Sequence, residues 1–277
     1  MLSAYGLCRQ ENWCDGHRPL LHAMRIASWN INSLRKRQER LLAWLEATQP
    51  DIVCLQETKC PDEQFPALAL QAADYRSAYH GEKSYNGVAI LAKTDLRDVR
   101  PSLCDEVVDR QARVIAATTD RLHVFSIYAP NGQAVGSPAY EYKLHWYQRL
   151  RDCIAKEKST DLVVCGDFNV APEDIDIYDA TLWRGAIMAS EGERAAFREL
   201  CKIGLRDTLR IHHKESELFT WWDYQMRALE KNRGLRIDAI LASETMAKNC
   251  SASRIDIEMR KGKEPSDHAP VWAEFDV

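Results

Sequence analysis

The chain has 277 residues, of which 45% are hydrophobic and 28% charged, and its formal net charge is −4. This composition is ordinary for a globular enzyme, and no apolar run approaches the roughly 18 residues that a membrane helix needs, which excludes a membrane-spanning protein. The length allows one large domain or two small ones.

Charge and cysteine usage restrict the function further. The slightly acidic balance gives no global positive field for nucleic acid, although a carboxylate-rich metal site can offset local basic patches. The nine cysteines show no paired metal-ligand spacing, and Cys54 and Cys165 lie inside apolar runs, where cysteine acts as a small hydrophobe. We therefore predict reduced thiols and a cytoplasmic protein.

Residues 1–23 differ from the rest of the chain. They carry several charged residues and no continuous apolar core, so a secretory signal is not indicated. Two interpretations are open: a flexible extension, or a translation start at Met24, where the first strand-like run begins. Residues 24–277 show no linker, internal repeat or low-complexity stretch, which favours a single domain.

Strand-like and helical patterns alternate from Met24 onward. Short apolar, β-branched runs predict strands, and apolar residues at helical spacing predict helices. The predicted strands lie at 24–31, 51–55, 88–91, 112–118, 122–127, 162–165, 239–241 and 269–272. The predicted helices lie at 34–49, 65–73, 140–154 and 191–201. This alternation is typical of mixed sheets with flanking helices.

Two of the predicted helices allow a more detailed interpretation. Ser33 is the predicted N-cap of the first helix. The basic residues near the start of that helix either contact phosphate or form a solvated face: Arg35, Lys36, Arg37 and Arg40. The residues predicted to share one apolar face of helix 140–154 are Tyr142, Trp146, Leu150 and Ile154.

The stretch 161–169 joins a predicted buried strand to polar residues. Gly166 ends the apolar run, and Asp167 and Asn169 follow at once. Side chains just past a strand end project into a crevice where ligands commonly bind. In extended chain, residues two apart point the same way. The carboxylate and the amide can therefore hold a phosphate, a water or a metal; an ordinary turn is the alternative.

The same arrangement recurs along the chain. Polar residues follow the predicted strands that end near residues 31, 55 and 127, and they precede the late strands that begin near residues 239 and 269. If the late strands run antiparallel to the early ones, all of these groups reach one rim. That rim then carries an oxygen-rich site with one imidazole, which suits a hard cation such as Mg²⁺ or Mn²⁺.

Six short motifs, taken in order, resemble those of a known enzyme family. They are SWNIN (28–32), LQETK (55–59), YAPNG (128–132), GDFN (166–169), LRID (235–238) and SDHAPV (266–271). From Met24 to Val277 the chain resembles the exonuclease III family of abasic-site endonucleases, in the endonuclease/exonuclease/phosphatase superfamily. The aromatic segment 219–224 and the segment 232–238 favour the DNA-repair branch over phosphodiesterases of inositol phosphates or sphingomyelin.

The resemblance implies a fold, a reaction and a partner. The implied fold is α/β, a four-layered sandwich in which two packed mixed β-sheets are flanked by helices. The implied reaction is Mg²⁺-dependent hydrolysis of DNA phosphodiesters at abasic sites or blocked 3′ ends, leaving a 3′-hydroxyl. We expect a monomer that acts on double-stranded DNA carrying abasic sites or 3′ ends.

The resemblance also assigns the metal site. Glu57 matches the main metal carboxylate of the family. Asn30 and Asn32 match the first metal-side motif, with Asn32 binding directly or through water. Asp267 is a further ligand of the metal or of its neighbouring groups. The expected cofactor is Mg²⁺, with Mn²⁺ as a substitute.

Five residues match the family's catalytic positions. Asp167 is expected to orient or deprotonate the attacking water, and Asn169 to donate to the phosphate. His268 is expected to contact the scissile phosphate while Asp238 orients it, because a carboxylate fixes the tautomer and favours the imidazolium. Tyr128 is expected to assist the leaving group; the alternative is a structural aromatic at a strand end.

The resemblance also implies which residues contact the substrate. Trp221 matches the aromatic wall of a pocket for an extruded abasic sugar, which Leu235 and Ile237 complete. Trp222 is predicted to be a core residue instead. Asn131 is a further predicted substrate contact. Two basic residues, Arg113 and Lys143, are predicted to contact phosphate.

Tyr178 departs from the family pattern, because many members have a very small residue at this point. A bulky phenol here can obstruct or reshape the path of duplex DNA. It would thus favour trimming of blocked 3′ ends, such as 3′-phosphates, over internal incision at abasic sites.

Two other functions compete with a DNA-repair nuclease. One is a phosphatase or phosphodiesterase of small or lipid phosphates. The other is a DNA-binding module without catalysis, against which the full acid, base and metal set counts. Activity on duplex DNA discriminates between these functions.

Overall fold

The computed structural model describes residues 23–103, 105–107 and 109–276, which form two six-stranded mixed sheets with helices on their outer faces. The strands of the first sheet are β1 (Ala23–Asn30), β2 (Ile52–Gln56), β3 (Arg76–His80), β4 (Val88–Ala92), β11 (Cys250–Ile255) and β12 (Val271–Asp276). The strands of the second are β5 (Leu96–Arg100), β6 (Val114–Thr119), β7 (Leu122–Tyr128), β8 (Leu162–Asp167), β9 (Leu205–Asp207) and β10 (Asp238–Ser243). The α/β sandwich predicted from the sequence is confirmed.

The helices connect the strands and cover the sheets. They are α1 (Leu34–Thr48), α2 (Ala67–Ala72), α3 (Pro138–Ile154), α4 (Ala180–Trp183), α5 (Glu191–Lys202), α6 (Thr208–His212) and α7 (Glu244–Lys248). Short 3-10 turns lie at Asp62–Gln64, Asp174–Asp176 and Ile257–Arg260. Among the described residues, no helix has the length and apolar character needed to cross a membrane.

The order of the strands brings early and late strands together. The order is β11-β12-β1-β2-β4-β3 in one sheet and β5-β6-β7-β8-β10-β9 in the other. Each sheet contains one central parallel pair, β1 with β2 and β7 with β8. The late strands β12 and β10 run antiparallel to β1 and β8. The carboxyl ends of the early strands therefore lie beside the amino ends of the late ones, as predicted.

The central strands are buried on both faces, which explains their unbroken apolar sequence. In β2, Cys54 points into the core between the sheets, whereas Val53 and Leu55 point toward the layer under α1. The corresponding layer outside the second sheet packs under α3 and α5 around Phe125 and Phe168. Two sheets and two helical layers thus enclose three apolar layers.

Two local predictions are wrong. Ser33 does not cap α1 through its side chain; its backbone N–H donates to the Glu57 carbonyl at 2.7 Å, and that of Leu34 donates to Thr58 at 2.9 Å. Tyr142 is 37% exposed, because it lies at the margin of the buried stripe of α3.

The cysteines follow the prediction only in part. The free cysteines among the described residues are Cys54, Cys60, Cys165, Cys201 and Cys250. Cys153 is disulfide-bonded, so the prediction of wholly reduced thiols is wrong. Cysteines far apart in sequence give no signal of their pairing, which only the folded chain decides. The predicted extension, residues 1–23, lies outside the described residues except for Ala23.

Candidate active site

The predicted polar residues meet at one rim of the sandwich, where the loops after the central parallel strands face the loops before β10 and β12. The rim forms because the parallel pair of each sheet ends on the same side. The residues that the structure brings together there are Asn30, Asn32, Glu57, Tyr128, Asp167, Asn169, Asp238, Asp267 and His268.

Glu57, Asp167 and His268 form the centre of this rim, with one potential ligand atom of each within 4.8 Å of the others. Asn30, at the end of β1, bridges two of them: its Nδ2 donates to Glu57 Oε1 at 2.9 Å and to Asp167 Oδ2 at 3.0 Å. Asn30 itself is fully buried. One amide therefore sets the spacing between carboxylates that come from different sheets.

Glu57 lies in an unusual backbone conformation with φ +50°. Burial alone would raise the pKa of Glu57, but the Lys59 ammonium, 2.7 Å from Oε2, and the Asn30 amide hold it below its ordinary value. Lys59 Nζ also donates to Asn32 Oδ1 at 2.6 Å. Asn32 Nδ2 in turn donates to Asp267 Oδ1 at 2.8 Å. Glu57 is thus a carboxylate anion in an oxygen-rich network.

His268 is held between two carboxylates. Its Nδ1 lies 2.9 Å from Asp238 Oδ2, and its Nε2 lies 3.8 Å from Asp167 Oδ2. Burial alone would lower the pKa of His268, but Asp238 above all, then Asp167 and Asp267, raise it to about 10. The ring is therefore an imidazolium at neutral pH. Asp238 Oδ1 is buried without a hydrogen-bond partner among the described residues.

Asp167 is the carboxylate with a raised pKa. Burial first, and then repulsion from Asp238, raise its pKa to about 7, while His268 and Asn30 act in the opposite direction. Asn169 N–H donates to Asp167 Oδ1 at 2.8 Å, and Asn169 Nδ2 donates to the Ala129 carbonyl at 2.9 Å. A group with a pKa near neutrality can accept a proton and release it again at physiological pH.

Tyr128 lies at the end of β7 and faces the same anions. Burial, followed by Glu57 and Asp167, raises the pKa of the phenol well above its ordinary value, so it stays protonated and can donate. The Arg113 guanidinium lies 4.8 Å from the ring centroid of Tyr128, and its Nη1 donates to the Tyr128 carbonyl at 3.2 Å. Arg113 is partly exposed at this rim.

An apolar cluster borders the polar rim. Trp221, Leu235 and Ile237 pack together, and Trp221 Nε1 donates to Asp267 Oδ2 at 3.0 Å. The backbone of Trp221 also bridges to both Leu235 and His268. Trp222, as predicted, is a core residue with 1% exposure. One tryptophan thus faces the site and its neighbour faces the core.

Tyr178 lies at the edge of this region. Its ring is partly buried against the cluster around Phe219 and Trp222, and its N–H donates to the Gly234 carbonyl at 3.2 Å. Gly234 immediately precedes Leu235 of the apolar cluster. Tyr178 is therefore tied to the loop that shapes the predicted sugar pocket.

Lys143 does not lie where a phosphate could reach it. Its side chain is fully buried, in contact with Glu193, and donates to the Asn131 and Asn169 carbonyls. The predicted phosphate contact of Lys143 is therefore wrong. Asn131, by contrast, is partly exposed and donates from Nδ2 to Asn169 Oδ1 at 3.3 Å.

Sequence reasoning missed several residues that shape the site. Lys59 stood inside a recognised motif, so its contact with Glu57 could have been proposed. Glu193 carried no signal beyond its place near a helix start. The apolar cluster also contains residues from a connection that showed no periodic pattern: Ile177, Trp183 and Met188.

The donor set fits a divalent metal. The oxygen atoms of Glu57, Asp167 and Asp267, together with two asparagine amides, are the hard ligands that Mg²⁺ prefers. The same oxygen atoms already stabilise a positive charge in this structure, since the Lys59 ammonium contacts both Glu57 and Asn32. The residues present therefore suit a divalent metal ion beside Glu57.

The sequence matches the Endonuclease/Exonuclease/phosphatase family over residues 27–268, which is most of the chain. The chain belongs to this family. The six motifs in the sequence therefore predicted the family correctly.

Relatives within the Endonuclease/Exonuclease/phosphatase family cover nearly the whole chain. Exodeoxyribonuclease III of Haemophilus influenzae is 36% identical over 91% of this chain and 100% of its own length. The solved structure of a 3′-5′ exonuclease from Neisseria meningitidis is 42% identical, with a TM-score of 0.90 over 92% of this chain and 100% of its own. An AP endonuclease structure from Archaeoglobus fulgidus is 36% identical, with a TM-score of 0.89 over the same shares.

Proposed function

We propose that this protein is a metal-dependent DNA-repair nuclease of the exonuclease III type, which hydrolyses phosphodiesters at abasic sites and blocked 3′ ends and leaves a 3′-hydroxyl. The observation that carries the proposal is the meeting of Glu57, Asp167 and His268 within 4.8 Å, with an imidazolium beside a carboxyl of near-neutral pKa. Relatives named as an exodeoxyribonuclease III, a 3′-5′ exonuclease and an AP endonuclease support it.

In the proposed reaction, Asp167 orients a water molecule and takes its proton as the water attacks phosphorus. The near-neutral pKa of Asp167 suits this exchange. The imidazolium of His268 donates from Nε2 to a phosphate oxygen and stabilises the charge that develops there. Asp238 keeps the ring in position through Nδ1.

The leaving oxygen needs a donor. The protonated phenol of Tyr128 can supply one, because the anions around it oppose its ionisation. The side-chain amide of Asn169 donates one N–H to the Ala129 carbonyl, and its second N–H can donate to the phosphate. Arg113, stacked on Tyr128, adds a positive charge at the edge of this group.

The metal-holding residues are Glu57, Asn30, Asn32 and Asp267, with Asn32 acting directly or through water. When bound, Mg²⁺ supplies positive charge that neutralises the phosphate, and Mn²⁺ can substitute. Asp267 accepts a hydrogen bond from Asn32, one of the metal-holding residues, and another from Trp221 of the apolar cluster.

The proposed substrate is double-stranded DNA, and the apolar cluster serves as the sugar pocket. Trp221, Leu235 and Ile237 can enclose a base-less sugar, which leaves the stack at low cost. The solved structure of a Neisseria 3′ phosphatase bound to a product DNA hairpin, 42% identical to this chain, supports a 3′-end substrate in particular.

Tyr178 sets the balance between the two substrates in this proposal. Its bulk beside the loop of Gly234 narrows the path of a continuous duplex but leaves a free 3′ end able to enter. Tyr178→Gly should raise the ratio of abasic-site incision to 3′-phosphate removal. An unchanged ratio would contradict this role.

The substrate test uses two labelled duplexes with Mg²⁺, one with an internal abasic site and one with a nick ending in a 3′-phosphate. EDTA provides the metal control, and a small phosphate monoester provides the substrate control. Metal-dependent internal incision would make the protein an abasic endonuclease, and activity confined to the 3′-phosphate would make it a 3′-end processing enzyme. Hydrolysis of the small ester alone would contradict the DNA substrate.

Two further properties belong to the proposal. We propose action in the cytoplasm on chromosomal DNA. We also propose a monomer, since one chain supplies the whole residue set described above. Sedimentation analysis of the purified chain, alone and with duplex, tests the monomer.

A further inference from the structure

A fully buried ion pair lies beneath the loop that carries Asn169. Lys143 of α3 and Glu193 of α5 contact each other through their charged groups, and both side chains have 0% exposure. Neither residue faces the phosphate in the proposed reaction. Desolvation offsets much of the attraction within such a pair, so a buried ion pair by itself contributes little to stability.

All three N–H donors of the Lys143 ammonium find an acceptor. Besides Glu193, Nζ donates to the Asn169 carbonyl at 2.6 Å and to the Asn131 carbonyl at 3.1 Å. These asparagines follow β8 and β7, and their side chains contact each other at 3.3 Å. One ammonium group thus fixes the spacing of two loops at the rim.

The backbone of Asn169 is held in a less common conformation. Its φ of +49° lies in the left-handed region, which asparagine adopts more readily than most residues with a side chain but which still competes with the ordinary right-handed and extended regions. In this conformation its N–H donates to Asp167 Oδ1 at 2.8 Å. Without a donor at its carbonyl, Asn169 can relax, and the bond that orients Asp167 is then lost.

Glu193 connects the same ammonium to the loop of the apolar cluster. Its Oε1 accepts from Met188 N at 3.0 Å, and its Oε2 accepts from Ser190 N at 3.1 Å and Ser190 Oγ at 2.6 Å. The Met188 carbonyl accepts in turn from Ala171 N at 2.7 Å. The loop after β8 and the loop before α5 are therefore joined at two points.

We propose that Lys143 and Glu193 are positioning residues, which hold Asn169 and thereby orient Asp167 for phosphodiester hydrolysis. They act through the backbone of the 167–171 loop and do not touch the substrate. The kinetic part of this inference rests on the proposed function.

The test is the double variant Lys143→Met with Glu193→Gln in the full chain. Removing both charges together avoids an unpaired buried charge, which a single substitution would leave. With Mg²⁺ and the nicked 3′-phosphate duplex, we expect kcat to fall by about 10²-fold, because small displacements of a catalytic group have effects of this order. KM should change by less than about threefold, since no substrate contact is removed.

Leu150→Ala is the matched control. Leu150 is a fully buried core residue on the same helix as Lys143, and none of the hydrogen bonds that hold Asn131 or Asn169 involves it. This variant should lower the unfolding temperature while keeping the wild-type kcat below that temperature. A stability effect is thereby separated from a positioning effect.

A second readout does not depend on catalysis. In ¹⁵N-labelled protein, the amide resonances of Asn131 and Asn169 should shift in the double variant and stay unchanged in Leu150→Ala. Wild-type kcat together with unshifted resonances in the double variant would overturn the inference while leaving the proposed function intact. If the wild-type chain hydrolyses no DNA, the proposed function fails, and the resonances alone decide whether the pair positions Asn169.

Should the double variant not fold, Lys143→Arg replaces it with the same readouts. This variant keeps the charge but displaces the donors.

Discussion

At the scale of single residues, the site is defined by a carboxyl and an imidazole whose pKa values are both raised above their ordinary values. Asp167 and His268 lie 3.8 Å apart, one with a pKa raised to about 7 and the other to about 10. Burial and the neighbouring Asp238 explain why the carboxyl holds its proton more tightly. A proton can therefore be accepted on Asp167 while positive charge stays on His268.

The first prediction concerns the protonation of His268. Its pKa is raised from 6.5 in the unfolded chain to about 10 in the folded protein, so folding favours the imidazolium. The resulting stabilisation is fully present below pH 6.5 and is lost as the pH rises through about 10. We expect ¹⁵N shifts of the ring to remain those of an imidazolium through pH 8.

Asp238→Asn is the companion variant for this titration. It removes the strongest of the charges that raise the pKa of His268 and leaves only Asp167 and Asp267 to oppose the effect of burial. The midpoint should fall by at least about one pH unit. A ring that titrates near pH 6.5 in the wild-type protein, or a midpoint unmoved by the variant, would contradict the described electrostatics.

The motifs in the sequence predicted the positions of most of these residues, but not how deeply each side chain is buried. Glu57, Asp167 and His268 were foreseen because polar residues at strand ends must meet when strands alternate in direction. Lys143 was misassigned, because a lysine on an amphipathic helix looks the same in sequence whether its ammonium is buried or exposed. Only the packing of α5 against α3 brings Glu193 to it.

At the scale of elements, two helices of the site begin in different ways. Ser190 caps α5 with its side chain, in a reciprocal capping box with Glu193. The first N–H groups of α1 are satisfied instead by backbone carbonyls of the loop after β2. That loop comes from a different part of the chain, so the sequence around Ser33 could not reveal it.

The second prediction compares these two serines. Ser190→Ala should lower the free energy of unfolding by about 1 kcal/mol or more, because it removes the cap of α5. Ser33→Ala should change it by less than about 0.5 kcal/mol, because no side-chain bond is lost. Urea denaturation at pH 7 measures both. Equal losses for the two variants would show that the described caps are wrong.

The third prediction concerns the 3-10 turn Asp174–Asp176, which links the Tyr178 loop to the segment before β10. Asp176 is fully buried and accepts from Arg236 Nε at 2.6 Å and Nη2 at 3.1 Å, and it also contacts Arg210. Asp176→Asn removes one of the two carboxylates that contact Arg236 and leaves Asp207 as the other. We expect a loss of about 1–3 kcal/mol in the free energy of unfolding, because buried donors lose a charged acceptor.

Asp174→Asn provides the control for that loss. Asp174 lies in the same 3-10 turn and forms an ion pair with Arg194 of α5. The side chain of Asp174 is 67% exposed. A pair in water contributes little, so no measurable change in the unfolding midpoint is expected. If both variants were equally destabilised, burial would not be the cause.

At the scale of the whole molecule, two sheets with similar central topology place their strand ends at one rim. The sandwich and the position of the rim could be predicted, because apolar runs mark central strands and turn-forming polar residues mark their ends. The edge strands β3, β5, β9 and β11 were missed, since they are short or half-exposed and carry a weak pattern. The disulfide at Cys153 could not be predicted, because the sequence does not show which distant cysteines meet in the folded chain.

The measurement that tests the central claim most directly is the turnover of a nicked 3′-phosphate duplex by the wild-type protein and by Asp167→Asn, in Mg²⁺ at pH 7. Asparagine keeps the size of the side chain but cannot accept the proton of the attacking water. Fluorescence anisotropy of the same duplex reports binding independently. We predict that the variant binds the duplex with similar affinity and loses at least about 10²-fold in kcat. Wild-type turnover by Asp167→Asn would contradict the assignment of Asp167 as the base, and with it the mechanism built on this rim.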